Sequence, residues 1–359
     1  MMTILKRVAR WGLDRAGYSI QRKPPSARQA RAPEETFILY GKAVSLARPA
    51  VDPQKLLSFD QDLQPDVRDA FLALNDVYQR LERSPFVYGR DHHVRDEEAC
   101  RIVYGEFQDA GIRLREFACD AEEFQHFLDA TLPVYRNRGY EAGYGGLQGY
   151  FPQKALEHWI SAAYLEWASD AVVLDLACEL SPATEALALF RPAAFYRHDI
   201  QLTTDLAQRT VSGFSNAIEC PDAFCDFIMA HCAIDNFEGR ADTDLFIEAT
   251  RILKPGGRIL ITPLHMATTF ENVVALGSPG VQIDEGAGLC VRPPGSLRFG
   301  RHYSAAALKQ RVIDPAPGLS FEVVHVTGLP TTRYSATATN RFMLVGTRPG
   351  RAPSNRQRD

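Results

Sequence analysis

Read for the alternation of apolar and polar positions, the chain shows its clearest pattern between Phe224 and Leu264. Phe227 to Met229 form a short apolar run behind Asp226, and Ile259 to Ile261 form a second run of β-favouring residues. Between them Leu245, Phe246, Ala249, Ile252 and Leu253 recur at helical spacing. Asp242 and Asp244 lead this helix and Arg251 and Lys254 trail it, matching the helix dipole. Pro255, Gly256 and Gly257 are expected to end it, because proline breaks a helix and paired glycines supply the positive φ of a C-terminal cap. Strand, helix and strand in this order make a β-α-β unit and therefore a parallel sheet.

The same reading extends outward. Ala171 to Ala177 is a near-continuous apolar run, the mark of a strand buried on both faces. Ahead of it Leu156, Trp159, Ile160, Ala163, Tyr164 and Trp167 line one side of a helix expected over Gln153 to Ala168. Ser181 as N-cap and Pro182 as first helical residue predict another helix start. Phe195 to His198 and Val211 to Phe214 read as the second and third strands; Phe321 to Val326 and Arg341 to Gly346 read as a final pair. Pro263 to Pro294 shows no periodicity and is expected to be a long unstructured insertion. Helices are expected over Gln64 to Arg83, Glu97 to Phe107 and Ala121 to Thr131.

Four parts follow: a basic segment with linker at 1–35, a mainly helical region at 36–150, an α/β domain at 151–347 and a polar tail at 348–359. With 45% hydrophobic and 23% charged residues the chain can bury a core. A net charge of −4 argues against a whole-surface nucleic-acid binder. Seven scattered cysteines without a C-x-x-C pair indicate neither zinc nor a disulfide framework, which fits a reducing, cytoplasmic setting. Residues 1–31 hold eight Lys or Arg against the single acid Asp14. Ile4, Leu5, Val8 and Trp11 share one helical face there, so peripheral membrane contact and a frayed basic end are both open readings. No apolar run reaches the length of a transmembrane span.

Candidate chemistry gathers where parallel strands end. Asp175 closes the first strand, at the carboxyl edge where open α/β sheets bind ligands. Asp199 follows 24 residues later at the end of the second strand, placed to bind ribose hydroxyls or to cap a turn. The absence of G-x-G-x-x-G after any expected strand disfavours nicotinamide. His231, Cys232, Asp235 and Asn236 follow the fourth strand; His231 reads as a general base or as a structural histidine. Arg136 to Phe151, rich in Gly and Tyr, reads either as a cover over a pocket or as an interdomain loop. Asp91, His92, His93 and His126 are better read as solvated than as metal ligands, and no metal is expected.

Asp226 on the fourth strand and the Leu-Lys-Pro-Gly-Gly segment of Leu253 to Gly257 resemble the class I S-adenosylmethionine-dependent methyltransferases. The resemblance covers about Phe151 to Gly346. It implies a seven-stranded Rossmann-like methyltransferase sheet with a helical N-terminal extension, and S-adenosylmethionine as cofactor. Where that family has glycines after the first strand, this chain has Asp175, Ala177, Glu179 and Ser181. The loop is similar to a bacterial subgroup with acid-x-Ala-x-Glu-x-Ser-Pro. The resemblance implies cofactor contacts from these four residues and Asp199, with Glu179 toward the methionine amino group and Asn216 toward the adenine amino group. Many relatives have a second histidine where Asn236 stands. Arg298 to Val312 resembles a family segment in which a turn capped by Ser304 precedes the sixth strand, with Arg301, His302 and Tyr303 at the acceptor pocket or fixing the turn. The methyl acceptor is unidentified and expected to be a small molecule. A catalytically silent methyltransferase-like binding module is the alternative, and a nicotinamide oxidoreductase a third.

Overall fold

The computed structural model describes residues 36–39, 42–45, 87–88, 97–178, 181–275, 281–292, 298–329 and 340–350. The basic segment 1–31, the expected helix Gln64 to Arg83, the Asp91, His92 and His93 group, Glu179 and residues 351–359 lie outside them.

The main sheet is built from β1 (Leu114–Ala118), β2 (Val172–Leu176), β3 (Ala194–His198), β4 (Thr210–Val211), β5 (Cys225–His231), β6 (Leu253–Thr262), β7 (Ser320–Thr327) and β8 (Phe342–Thr347). Its spatial order is β4-β3-β2-β5-β6-β8-β7-β1. All neighbours run parallel except β8, which is antiparallel to β6 on one side and β7 on the other. The sheet is thus one strand wider than the seven expected, because β1, from the region read as mainly helical, adds itself beside β7. Of the final pair only β8 is reversed.

Apolar side chains cover both faces, as buried parallel strands require. Along β2, Leu174 and Leu176 enter one core and Val173 the other; along β6, Ile259 and Ile261 face one way and Leu260 the other. The first core is closed by α1 (Glu97–Asp109), through Val103 and Phe107, and by α5 (Ala241–Ile252), through Leu245 and Phe246. The second is closed by α2 (Ala121–Asn137), α3 (Phe151–Leu165) and α4 (Ala183–Phe190), through Phe124, Trp159 and Leu187. Asp120 caps α2, its carboxylate accepting from the N–H groups of Glu122 and Glu123 at 2.9 Å.

Several local expectations are corrected. Helix α5 ends at Ile252, with Leu253 already extended, so Pro255 and the glycines fall within β6 instead of capping the helix. Gly256 does take a positive φ of 84°, and its N–H donates to the Arg348 carbonyl at 2.9 Å. Arg348, read as the first residue of an unpacked tail, therefore pairs with the start of β6. The described residues of the insertion after β6 carry strands: Glu271–Ala275 and Gly288–Arg292, with Phe299–His302, join Val87–Tyr88 in a four-stranded sheet. Its strands are short and apolar on few positions, which hid them from a periodicity reading.

A buried ion network fastens this second sheet to α5. Arg301, 0% exposed, donates through Nε to Asp284 at 2.7 Å and through Nη1 to the Phe237 carbonyl at 2.7 Å, and its Nη1 lies 3.3 Å from Asp242. Arg311 reaches the other Asp242 oxygen at 2.8 Å, and the Tyr303 hydroxyl donates to Asp242 at 2.8 Å. Arg301 and Tyr303 thus fix the turn, and Ser304 caps the short helix Ala305–Leu308 by accepting from the Ala307 N–H at 3.2 Å.

Candidate functional site

The carboxyl ends of β2, β3 and β5 lie side by side, and α3 roofs the edge of β5. Residues Asp175 and Arg197 are register partners, as are Leu176 and His198, so Asp199 falls opposite Ala177 at the tips of neighbouring strands. Asp175 is 1% exposed. Its Oδ1 lies 3.5 Å from His231 Nδ1, whereas its Oδ2 has no hydrogen-bond partner among the described residues. Asp199 is also buried, and its Oδ1 accepts from the Gln201 N–H at 3.0 Å, which makes it a turn residue as well as a tip carboxylate.

The loop after β2 turns without glycine. Ala177 takes φ 51° in the left-handed region. It is held there from both sides: its N–H donates to His198 Nδ1 at 3.4 Å, and the Cys178 N–H donates to the His198 carbonyl at 2.9 Å. His198 Nε2 in turn donates to the Gly213 carbonyl at 3.0 Å, which defines the tautomer. Helix α4 begins at Ala183, one residue later than read, with Pro182 in front of it. Ser181 Oγ accepts from the Ala183 N–H at 3.2 Å and lies 3.5 Å from His158 Nε2. Asn216 stands apart, exposed in the turn between the paired strands Gly213–Phe214 and Ala217–Ile218.

His231 has protein partners at both ring nitrogens: Asp175 at Nδ1 and Ser161 Oγ 2.8 Å from Nε2. His158 packs edge-on against it with ring centroids 4.7 Å apart, and His158 Nδ1 lies 2.7 Å from the Tyr135 hydroxyl. Asn236 donates to the Cys232 carbonyl at 3.1 Å and braces the loop beyond β5.

Beside this group lies a second polar cluster that the sequence reading did not assemble. Gln153, Lys154, Glu157, His158 and Ser161 are all buried on α3. The Lys154 ammonium is 3.1 Å from Glu157 and stands 5.8 Å and 5.6 Å from the ring centroids of Tyr144 and Tyr150. Burial works against its charge, but the Glu157 carboxylate beside it offsets burial and keeps the ammonium charged. The Cys232 thiol, pushed up by burial and then by Glu157, stays neutral and donates to Glu157 at 3.3 Å. It lies 3.9 Å from His265, which is 3.8 Å from Asp235.

The Gly- and Tyr-rich segment closes over this cluster as the helical turns Tyr140–Gly143 and Gly146–Gln148. Gly139, Gly145 and Gly146 take φ of 67°, 81° and 71°, so the reversals that lay Tyr140, Tyr144 and Tyr150 on α3 depend on residues without Cβ. A signal was present in the sequence: 153, 154, 157, 158 and 161 form a polar stripe at helical spacing opposite the apolar one. On a helix covered from both sides such a stripe faces a site and not water.

Two histidines give the fold a pH dependence. Burial, followed by the charges of His231 and Lys154, holds His158 well below its ordinary value of 6.5, and burial lowers His198 as well. Both are neutral when folded, so below about pH 6.5 the unfolded chain binds protons that the folded chain does not. Stability is unaffected well above that pH and falls below it, more through His158, which is held further below its ordinary value, than through His198. The urea midpoint is expected to drop between pH 7.5 and 5.5, and His158→Gln to flatten the drop; an equal slope in the variant would show that His158 does not contribute.

No protein-family model matches the chain, and no curated protein matches it. Among solved structures it is similar to the YcgJ protein of Bacillus subtilis, at 17% identity and a TM-score of 0.26. That match covers 34% of this chain and 53% of the other, so the chain spans about half the length of that relative. A Burkholderia thailandensis 1,6-didemethyltoxoflavin N1-methyltransferase, solved with its substrate and S-adenosylhomocysteine, is 14% identical, with a TM-score of 0.35 over 64% of this chain and 91% of that one. An S-adenosylmethionine-dependent methyltransferase from Methanosarcina mazei is 13% identical, with a TM-score of 0.32 over 52% of this chain and 97% of that one. At these values the strand order itself carries the assignment. Counted from β2, the sheet runs 3-2-1-4-5-7-6 with only the seventh strand reversed, and the chain therefore has the class I methyltransferase fold.

Proposed function

We propose that the protein is an S-adenosylmethionine-dependent methyltransferase acting on a small acceptor. The observation that carries this reading is Asp175 Oδ2, a buried carboxylate oxygen without a donor among the described residues at the tip of the first central strand, beside Asp199 on the next. A buried unpaired carboxylate oxygen is costly unless a ligand supplies a donor. The surrounding residues fit the cofactor. Asp175 would meet its ammonium, the N–H groups at the start of α4 beside Ser181 its carboxylate, and Asp199 the ribose hydroxyls. Ala177 reaches the left-handed turn without glycine, so the glycine-poor loop is no obstacle to that placement.

When bound, S-adenosylmethionine supplies an electrophilic methyl carbon whose bond to sulfur breaks, the electron pair staying on sulfur, as an acceptor lone pair takes the carbon. The chain's own part is alignment and exclusion of water. Tyr140, Tyr144 and Tyr150 cover the crevice, Lys154 and Glu157 neutralise each other beneath them, and α3 fixes the floor. His231, held between Asp175 and Ser161, orients the Asp175 carboxylate; a general-base role would require Nε2 to be released from Ser161.

Calorimetric titration with S-adenosylmethionine and with NAD tests the reading. S-adenosylmethionine is expected to bind in roughly the micromolar range, about −8 kcal/mol, and NAD not at all. Asp175→Asn is expected to weaken binding by about tenfold or more, or about 1.4 kcal/mol. Binding of neither ligand would leave the silent module in place, and NAD binding alone would make the chain an oxidoreductase.

A further inference from the structure

The cluster beneath the tyrosine cover has unfilled hydrogen-bond capacity of one kind. Gln153 Nε2 donates to the Tyr150 hydroxyl at 2.5 Å and to Glu157 Oε1 at 3.1 Å. Since a carboxylate only accepts, the second contact fixes the orientation of the amide, and Gln153 Oε1 is left buried with no donor among the described residues. At the other end of the cluster Asp235 Oδ1 is buried with no donor among the described residues, its Oδ2 facing His265. The two ends are joined through Glu157, Cys232 and His265. Gln153 is 1% exposed and Asp235 9%. Among the described residues, and the histidines aside, Lys154 is the cation of this cluster, beside the carboxyl groups of Glu157 and Asp235, while Cys232 and the tyrosines are neutral. Whatever completes this crevice brings N–H donors and tolerates or carries positive charge.

We infer that the methyl acceptor is a small primary or secondary amine, recognised through its N–H groups by Gln153 Oε1 and Asp235 Oδ1. The inference rests on the methyltransferase reading and adds the acceptor class to it. An alcohol offers one donor for two waiting oxygens, and a carboxylic acid at neutral pH offers none and meets Glu157 and Asp235 as like charges. An ammonium entering the crevice gives one proton to Asp235, which exposes the lone pair that transfer needs. Across a turnover a nitrogen–carbon bond replaces the carbon–sulfur bond, the positive charge passes from sulfur to nitrogen, and one proton leaves through Asp235. Entry is by way of the cover, whose outer members Tyr144, Leu147 and Tyr150 reach solvent at 37%, 40% and 36% exposure. Its reversals at Gly139, Gly145 and Gly146 are the places where it can swing.

The test is calorimetric, on the full chain saturated with S-adenosylhomocysteine, at pH 7.5. The probes are phenethylamine with its isostere 2-phenylethanol, n-butylamine with n-butanol, and butyrate. Each amine is expected to bind at least tenfold more tightly than its alcohol, and butyrate not to bind. Asp235→Asn and Gln153→Met are each expected to weaken amine binding at least tenfold and to lower the amine-to-alcohol ratio, the dissociation constant of S-adenosylhomocysteine staying unchanged. Unfolding midpoints identify any variant that does not fold; the amine-to-alcohol ratio of the unaltered chain decides by itself if neither does. Equal binding of amine and alcohol, preference for butyrate, or no probe binding to the loaded protein overturns the inference. Failure of S-adenosylhomocysteine itself to bind overturns the methyltransferase reading instead, and is recorded before any amine is added.

Discussion

Replacing Asp242 with alanine is expected to lower stability by about 3–5 kcal/mol, the range for removing one member of a buried ion network. Asp242 is fully buried in the first turn of α5. One of its oxygens accepts from Tyr303 at 2.8 Å and Arg311 Nε at 3.0 Å, and the other from Arg311 Nη2 at 2.8 Å. Without it two guanidiniums share the single carboxylate of Asp284, and Arg301, 0% exposed, has no water to take up the difference. The second sheet is then expected to loosen from α5 before the main sheet unfolds. Urea unfolding followed by tryptophan fluorescence and by circular dichroism checks this. A change under about 1 kcal/mol would mean that Asp284 alone satisfies both arginines.

Trp159→Ala is expected to cost a similar amount, about 3–5 kcal/mol, by a different route. The indole is fully buried between α3, α2 and β1, with ring centroids 5.8 Å from Phe124 and 6.1 Å from Phe117. Its N–H has no hydrogen-bond partner among the described residues, so the loss is one of volume and contact. Trp159→Phe is accordingly expected to cost less than half as much. The effect reaches the site, because the same helix carries Lys154, Glu157, His158 and Ser161 on its other side. Binding of S-adenosylmethionine should weaken in the alanine variant and recover in the phenylalanine one. Unchanged binding in the alanine variant would show that α3 keeps its position without the indole.

Much of the main sheet was legible because its strands are apolar on both faces and its helices on one. Val172 to Leu176, Phe195 to His198 and Ile259 to Ile261 are runs that a parallel interior requires, and the helix Leu245 to Ile252 has its stripe and charged ends in view. The tip position of Asp175 and Asp199 followed from those strands alone. β1 was missed because Leu114 to Ala118 lies at the sheet margin with no residue fully buried, and its half-buried Leu114 and Phe117 are three apart instead of alternating. The strands after β6 were missed because Val273, Val274 and Cys290 are too few to show a period. The sequence showed a turn without glycine but not what supports it; His198, 21 residues away, holds Ala177 in the conformation that glycine would adopt freely.

What the sequence by itself determined is the central strands and their flanking helices, their polarity and the carboxylates at the ends of the central strands, since each is written in spacings of two, three or four residues. What only the tertiary structure decided is the company those residues keep. His231 meets Ser161 across 70 residues and Asp242 meets Arg311 across 69. The polar stripe of α3 faces a crevice because the tyrosine cover and the loop after β5 close over it. Such contacts depend on how whole elements pack, and packing responds to volume and burial summed over the chain, which no local spacing records.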